Sequence, residues 1–200
     1  MIYLGIHAGH NSSASLMRDG KIIFALQEER FTNIKNCSGY PKQSIAHCLE
    51  YIKSKKLIID VAAFATIKQI LFHSKFRVNN FFDSSDYHKY YSTYFNKKKL
   101  ISFIENHNKY KKNKGLYLRY DKVDKKNYFN PNFFRNMLKQ ELIKQSKKKI
   151  NKIVFLDHHT CHAYYSYYSA KSRLNNSCVI SVDSYGDGAN QTIWMTKKNC

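Results

Sequence analysis

Nothing in these 200 residues approaches the run of about 20 apolar residues that a bilayer-crossing helix needs. The opening stretch Met1-Ile2-Tyr3-Leu4-Gly5-Ile6 is apolar, but it is too short for a signal peptide and has no basic leader. The expectation is a cytoplasmic chain with no membrane partner. A CxxC pair is also missing. The cysteines, Cys37, Cys48, Cys161, Cys178 and Cys200, are odd in number, which argues against a disulfide framework and a structural zinc knot and for reduced thiols. Acidic side chains are scarce: 14 Asp and Glu stand against 34 Lys and Arg, a net charge of +20. That balance suits an anionic partner. However, lysine dominates, the excess is local, and a general bias toward Lys, Asn, Ile and Tyr gives the same figure without any partner. With 43% hydrophobic residues, the chain has enough apolar material for one domain with a core, or one and a fraction.

What is present falls into two ordered stretches around a different one. Ile2–His7 is a short run of β-formers, followed by the polar loop Ala8-Gly9-His10-Asn11-Ser12-Ser13 and a second strand at Ala14–Met17. Asp19-Gly20 is a hairpin signal, and Lys21–Gln27 a third strand. Pro41 opens a helix with Ile45, Leu49 and Ile52 on one face, and Leu57–Ala65 is a further strand. From 68 to 150 lysines interleave with Phe, Tyr and Asn. We read this stretch as a basic, mostly helical insertion with a loop near 106–128. Asn130-Pro131 starts a helix striped by Phe134, Leu138, Leu142 and Ile143. Then follow a strand at Lys152–Asp157, a helix from His158 to about Leu174, a strand at Cys178–Asp183, a loop over Ser184–Asn190 and a strand at Gln191–Thr196. The β-β-β-α-β opening predicts an α/β chain with the ribonuclease H-like, actin-like ATPase fold. The tail repeats the strand–polar loop–strand texture of the opening. The predicted division is therefore a first lobe over 1–175 and the first hairpin of a truncated second lobe over 176–200, from a shortened gene or one part of a split protein.

The chemistry concentrates at "DHHTCHAYYSYYSA", residues 157–170. His158 and His162 are one turn apart on one helix face, a spacing that lets two imidazoles grip a divalent cation. The glutamate that zinc proteases place between such histidines is absent. Asp183, ending a neighbouring strand, is the candidate third ligand, with Asp187 as its competitor. The plainer alternative is that His158 caps the helix and His162 packs. In the first loop, His10 is a candidate acid or base. Asn11, Ser12 and Ser13 are candidates to present N–H groups and hydroxyls to phosphate, although a solvated polar turn has the same composition. Glu28 and Glu29 beside Arg30 read as a surface ion pair. Lys35 comes near the first loop if the hairpin folds back.

"LGIHAGHNSSASLMRDGKIIFALQEERFTNIKN" closely resembles the amino terminus of the O-carbamoyltransferases, the family of nodulation-factor, cephalosporin and aminoglycoside carbamoylating enzymes. "HHTCHAYYSYY" followed by "VISVDSYGDGA" is similar to that family's metal segment. The resemblance covers roughly 1–66 and 152–196. It implies an amino-terminal actin-like domain related to the tRNA threonylcarbamoyl transferases, together with a carboxy-terminal domain that makes carbamoyl-adenylate from carbamoyl phosphate and ATP. The carbamoyl group then passes to a hydroxyl of a small molecule or glycan. It further implies a divalent metal on His158, His162 and Asp183, iron first, with zinc or manganese acceptable to the same donors. His10 and Lys35 match a catalytic-loop histidine and a lysine near the intermediate. A second metal-binding aspartate of the family has no counterpart here. The expectation is a chain inactive by itself, needing a separate chain or portion that carries the rest. The rival readings are an anion- or nucleic-acid-binding module built on the basic insertion, which has no compact recognition motif, and an inert remnant.

Overall fold

The computed structural model describes residues 1–9, 11–33, 35, 37, 39–68, 127, 130–147, 149–171, 176–187 and 189–196. Its elements are β1 (Ile2–His7), β2 (Ser13–Arg18), β3 (Lys21–Gln27), α1 (Glu29–Thr32), α2 (Lys42–Ser54), β4 (Ile59–Phe64), α3 (Pro131–Ser146), β5 (Ile150–Phe155), α4 (His158–Ser169), β6 (Cys178–Gly186) and β7 (Ala189–Met195). The first five strands form one sheet in the order β3-β2-β1-β4-β5, and β6 and β7 form a separate two-stranded ribbon. The pairs β1/β2 and β2/β3 are antiparallel, whereas β1/β4 and β4/β5 are parallel. The chain is thus α/β with a mixed sheet. The expected insertion over 68–150 lies largely outside the described residues; the part that is described, α3, packs into the core. Among the described residues no helix is long and apolar enough to cross a membrane.

Alternation along the strands builds the core. Ile2, Leu4 and Ile6 of β1 are buried, and their register sets Leu4 beside Leu16 and Ala62, and Ile6 beside Ala14 and Phe64. Against this apolar face pack Ile45, Cys48 and Ile52 of α2 and Phe134, Leu138 and Leu142 of α3. The helical stripe of α2 therefore runs through Cys48, with Leu49 at its margin. Burial pushes the Cys48 thiol up to about 11, so it sits there as an inert apolar side chain. The described cysteines, Cys37, Cys48, Cys161 and Cys178, are all free thiols. On the opposite face Gly5 lies across from Ser15, where an added Cβ would come 2.7 Å from the Ser15 hydroxyl oxygen.

Helix ends show local chemistry at work. Asn130 caps α3, its side chain accepting from the amides of Asn132 and Phe133 at 3.0 and 3.2 Å, with Pro131 following. Helix α2 has Pro41 at its N-cap and no cap from that side chain. Glu28 supplies it instead. Glu28 is 1% exposed, and its carboxylate accepts from Gln43 N (2.9 Å), Ser44 N (2.8 Å) and Ser44 Oγ (2.7 Å). The surface ion pair expected of Glu28 is thereby corrected: the carboxylate is buried at the positive end of a helix. Glu29 alone meets Arg30, at 3.4 Å.

Several boundaries differ from expectation. β5 begins at Ile150, because pairing with β4 sets Ile150 opposite Ile59. Helix α4 ends at Ser169, where Ala170 turns extended. The residues expected to form only a loop after Asp183 extend β6 to Gly186. The ribbon leaves Ile180, Val182, Ile193 and Met195 exposed, with Ile180 directly across from Ile193.

Candidate metal centre

Strands β1, β4 and β5 run parallel, so their carboxyl ends share one edge of the sheet. The ladder extends past their ends, with Ala65 N donating to Ile6 O (2.9 Å) and Leu156 N to Phe64 O (2.8 Å). Helix α4 starts at this edge, two residues beyond Leu156. Its cap is Asp157, whose carboxylate accepts from Thr160 N at 2.9 Å and Thr160 Oγ1 at 3.1 Å. His158 is therefore not the cap, and its ring is left for other work.

His158 Nε2 lies 2.8 Å from Asp183 Oδ2 and 3.0 Å from His162 Nε2. His162 Nε2 is 3.7 Å from the same carboxylate oxygen. These three residues form the metal-competent group found among the described residues. Three donors each about 2.1 Å from a shared ion would sit roughly 3.0–3.4 Å apart, depending on octahedral or tetrahedral angles. The observed spacings straddle that range. A proton on His158 Nε2 can point at only one of its two neighbours, whereas a cation would satisfy all three atoms together. The donor set of two imidazoles and a carboxylate suits iron, zinc or manganese. Burial first, and then the neighbouring His158, hold the His162 imidazole below the usual histidine range, with Asp183 pulling the other way. A neutral imidazole is the form that ligates.

Asp187, the competitor, is occupied elsewhere. Oδ1 accepts from Thr66 Oγ1 (3.0 Å) and Lys68 N (2.7 Å), and Oδ2 from Ile67 N (2.9 Å) and His158 N (2.8 Å). His159, the middle histidine, is fully buried between Ser181 Oγ (3.1 Å from Nδ1) and Ala189 O (2.9 Å from Nε2). A carbonyl only accepts, so His159 donates from Nε2 and accepts at Nδ1 from the serine. It fastens the β6–β7 ribbon to α4. Sequence reasoning missed Asp187, His159 and Glu28 in these roles. The one local signal was the uncapped start of α2 after Pro41.

His7, the last residue of β1 before the first loop, has its ring centroid 6.1 Å from that of His158. Gly9 lies against His7, and a Cβ there would come 2.7 Å from His7 Nε2. His10 lies outside the described residues. Asn11 is exposed with φ 53°, and Ser13 opens β2 half-buried. Ser12 is buried, its Oγ donating to Cys37 O at 3.1 Å. The backbone joins in, with Ser12 N donating to Cys37 O (2.8 Å) and Gly39 N to Gly9 O (3.0 Å). Cys37 and Gly39 are thus drawn alongside the first loop, and Lys35 is exposed.

Two imidazoles and a carboxylate gathered at the carboxyl edge of a mixed α/β sheet make up a site able to hold a cation beside a polar loop. The chain that builds it belongs to the carbamoyltransferase N-terminus family, whose description matches residues 2–200. An uncharacterized protein of Synechocystis is 28% identical over 98% of this chain and 27% of its own length. The nodulation protein NolNO of Sinorhizobium fredii is 42% identical over 28% of this chain and 8% of its own. An uncharacterized protein of Methanocaldococcus jannaschii is 44% identical over 27% of this chain and 10% of its own. The chain spans about a quarter or less of the length of these curated relatives.

Proposed function

We propose that this chain is the amino-terminal part of a carbamoyltransferase that moves a carbamoyl group from carbamoyl-adenylate, made from carbamoyl phosphate and ATP, to a hydroxyl of a small molecule or glycan. The observation that carries the reading is the convergence of His158, His162 and Asp183 on one point. The strand order β3-β2-β1-β4-β5 supports an actin-like lobe, and the β6–β7 hairpin supports the start of a second.

In this reading His158, His162 and Asp183 hold a divalent ion, iron before zinc or manganese. Once bound, the ion supplies Lewis acidity that lowers the pKa of an acceptor hydroxyl. The chain's own groups do the rest. His10 takes the hydroxyl proton, and the amide of Asn11 in the same loop faces the developing oxyanion, those of Ser12 and Ser13 being engaged by Cys37 O and by β1. Lys35 meets phosphate oxygens. The acceptor oxygen bonds to the carbamoyl carbon, the bond from that carbon to the adenylate phosphate oxygen breaks, and AMP leaves. The adenylate-forming portion is supplied by further polypeptide, in the same chain or a separate one.

The test is metal loading followed by transfer. Purified chain dialysed against Fe2+, Mn2+ or Zn2+ should retain one equivalent, measured by elemental analysis. Combined with the remaining portion of a long family member, it should transfer label from carbamoyl phosphate to an acceptor only when ATP is present. A chain that retains no ion at neutral pH sinks the reading.

A further inference from the structure

We propose that Asp187 is the positioning residue of this centre: its carboxylate clasps the first amide of α4 to the end of β4 and so sets where His158 presents Nε2. The inference rests on the metal reading above. It deepens that reading by assigning a residue that touches neither ion nor substrate.

Asp187 is 8% exposed, and each of its carboxylate oxygens accepts two hydrogen bonds. That uses the whole acceptor capacity of an ionised aspartate. Three donors, Thr66 Oγ1, Ile67 N and Lys68 N, come from the chain just beyond β4, where the basic stretch begins. The fourth, His158 N, belongs to the residue that offers Nε2 to Asp183. Arg135 of α3 donates to Ile67 O at 3.0 Å, which fixes the same short stretch from its other side. The His158 backbone is therefore held by a rigid anchor on the sheet, while its ring is aimed at the cation position. A ligand whose backbone drifts cannot keep its ring in place, and the partners that orient ligands are worth a large share of metal affinity.

Asp187 has φ 48°, in the left-handed region. Asparagine adopts that conformation as readily as aspartate, so Asp187→Asn leaves the turn intact and removes only acceptor capacity. The amide nitrogen must face one of the two donor pairs. Thr66 can turn its hydroxyl to accept, but a backbone N–H beside it stays unmatched on either choice.

Titration with Co2+ tests the proposal, since its visible absorption reports coordination geometry as well as affinity. Asp187→Asn should bind about 10- to 100-fold more weakly than the parent chain, with an altered absorption band. Thr66→Val removes one clasp donor and leaves the His158 bond, so it should weaken binding by less than about tenfold. Should Asp187→Asn fold poorly, Thr66→Val decides: a measurable weakening supports the positioning role, and parental affinity and spectrum overturn it. Leu138→Ala, in the core under α3, should lower the melting temperature and leave affinity and spectrum unchanged. Unchanged affinity and spectrum in Asp187→Asn, in a parent chain that binds Co2+, overturn the positioning role and leave the metal reading standing. No Co2+ binding by the parent chain overturns both.

Discussion

His158→Ala will weaken divalent metal binding by more than about a hundredfold, beyond the 10- to 100-fold usual when a ligand merely loses its hydrogen-bond partner. The ring at this position is the hub of the cluster, within 3.0 Å of both other donors, whereas His162 and Asp183 are 3.7 Å apart. Alanine leaves two donors with a gap between them. The fold should survive, because the tie between residue 158 and Asp187 runs through the backbone amide, which alanine keeps. Calorimetric titration gives the affinity, and a thermal melt shows whether the chain is still folded. His159→Ala, one residue along, separates the two kinds of histidine. It should cost stability, because Ser181 and Ala189 O lose their buried partner, and it should leave the three donors in place. Retention of metal by His158→Ala at parental affinity would place the ion elsewhere.

Glu28→Ala should produce the largest loss of stability among the polar substitutions. Three donors, Gln43 N, Ser44 N and Ser44 Oγ, would be left facing a void at a buried helix start. Losing an N-cap costs about 0.5–2 kcal/mol, and each stranded buried donor about 1–3 kcal/mol. Allowing for water entering the space, the expected loss is on the order of 3 kcal/mol. At roughly 2–4 °C per kcal/mol for a chain of this size, the melting temperature should fall by about 6–12 °C. Glu28→Gln should cost about half as much, since its amide oxygen can still accept from Ser44 while its nitrogen confronts the Gln43 amide. Equal melting temperatures for Glu28→Ala and the parent chain would show that solvent, not this carboxylate, satisfies the start of α2.

The contrast between these residues shows how much of the molecule was legible from sequence. His158 and His162 were visible because helical periodicity alone stacks positions four apart. Asp183 was visible because it follows a run of β-formers, although it lies within an antiparallel ribbon and not at the end of its strand. The hairpin at Asp19-Gly20 and the helix at Asn130-Pro131 were written in local turn and cap chemistry. Glu28 and Asp187 were not, because their donors come from elsewhere in the chain. Gln43 is 15 residues from Glu28, and Ile67 is 120 from Asp187. In sequence, Glu28 beside Glu29 and Arg30 looks like a solvated charge. Only the fold brings it beneath a helix that Pro41 cannot cap. The start of β5 was misplaced for a related reason: Asn151 and Lys152 interrupt the apolar pattern, and Ile150 ahead of them joins the strand by pairing with Ile59.

The β6–β7 ribbon offers Ile180, Val182, Ile193 and Met195 to water on a molecule whose net charge is +20. Those two features oppose each other in solution. Repulsion between like-charged copies acts at a distance and keeps them apart in dilute buffer, while the greasy strip attracts only on contact. Screening shortens the reach of the charge to about 8 Å at physiological salt and does nothing to the strip. The expected consequence is a colloidal behaviour governed by ionic strength, with light scattering rising as salt is added.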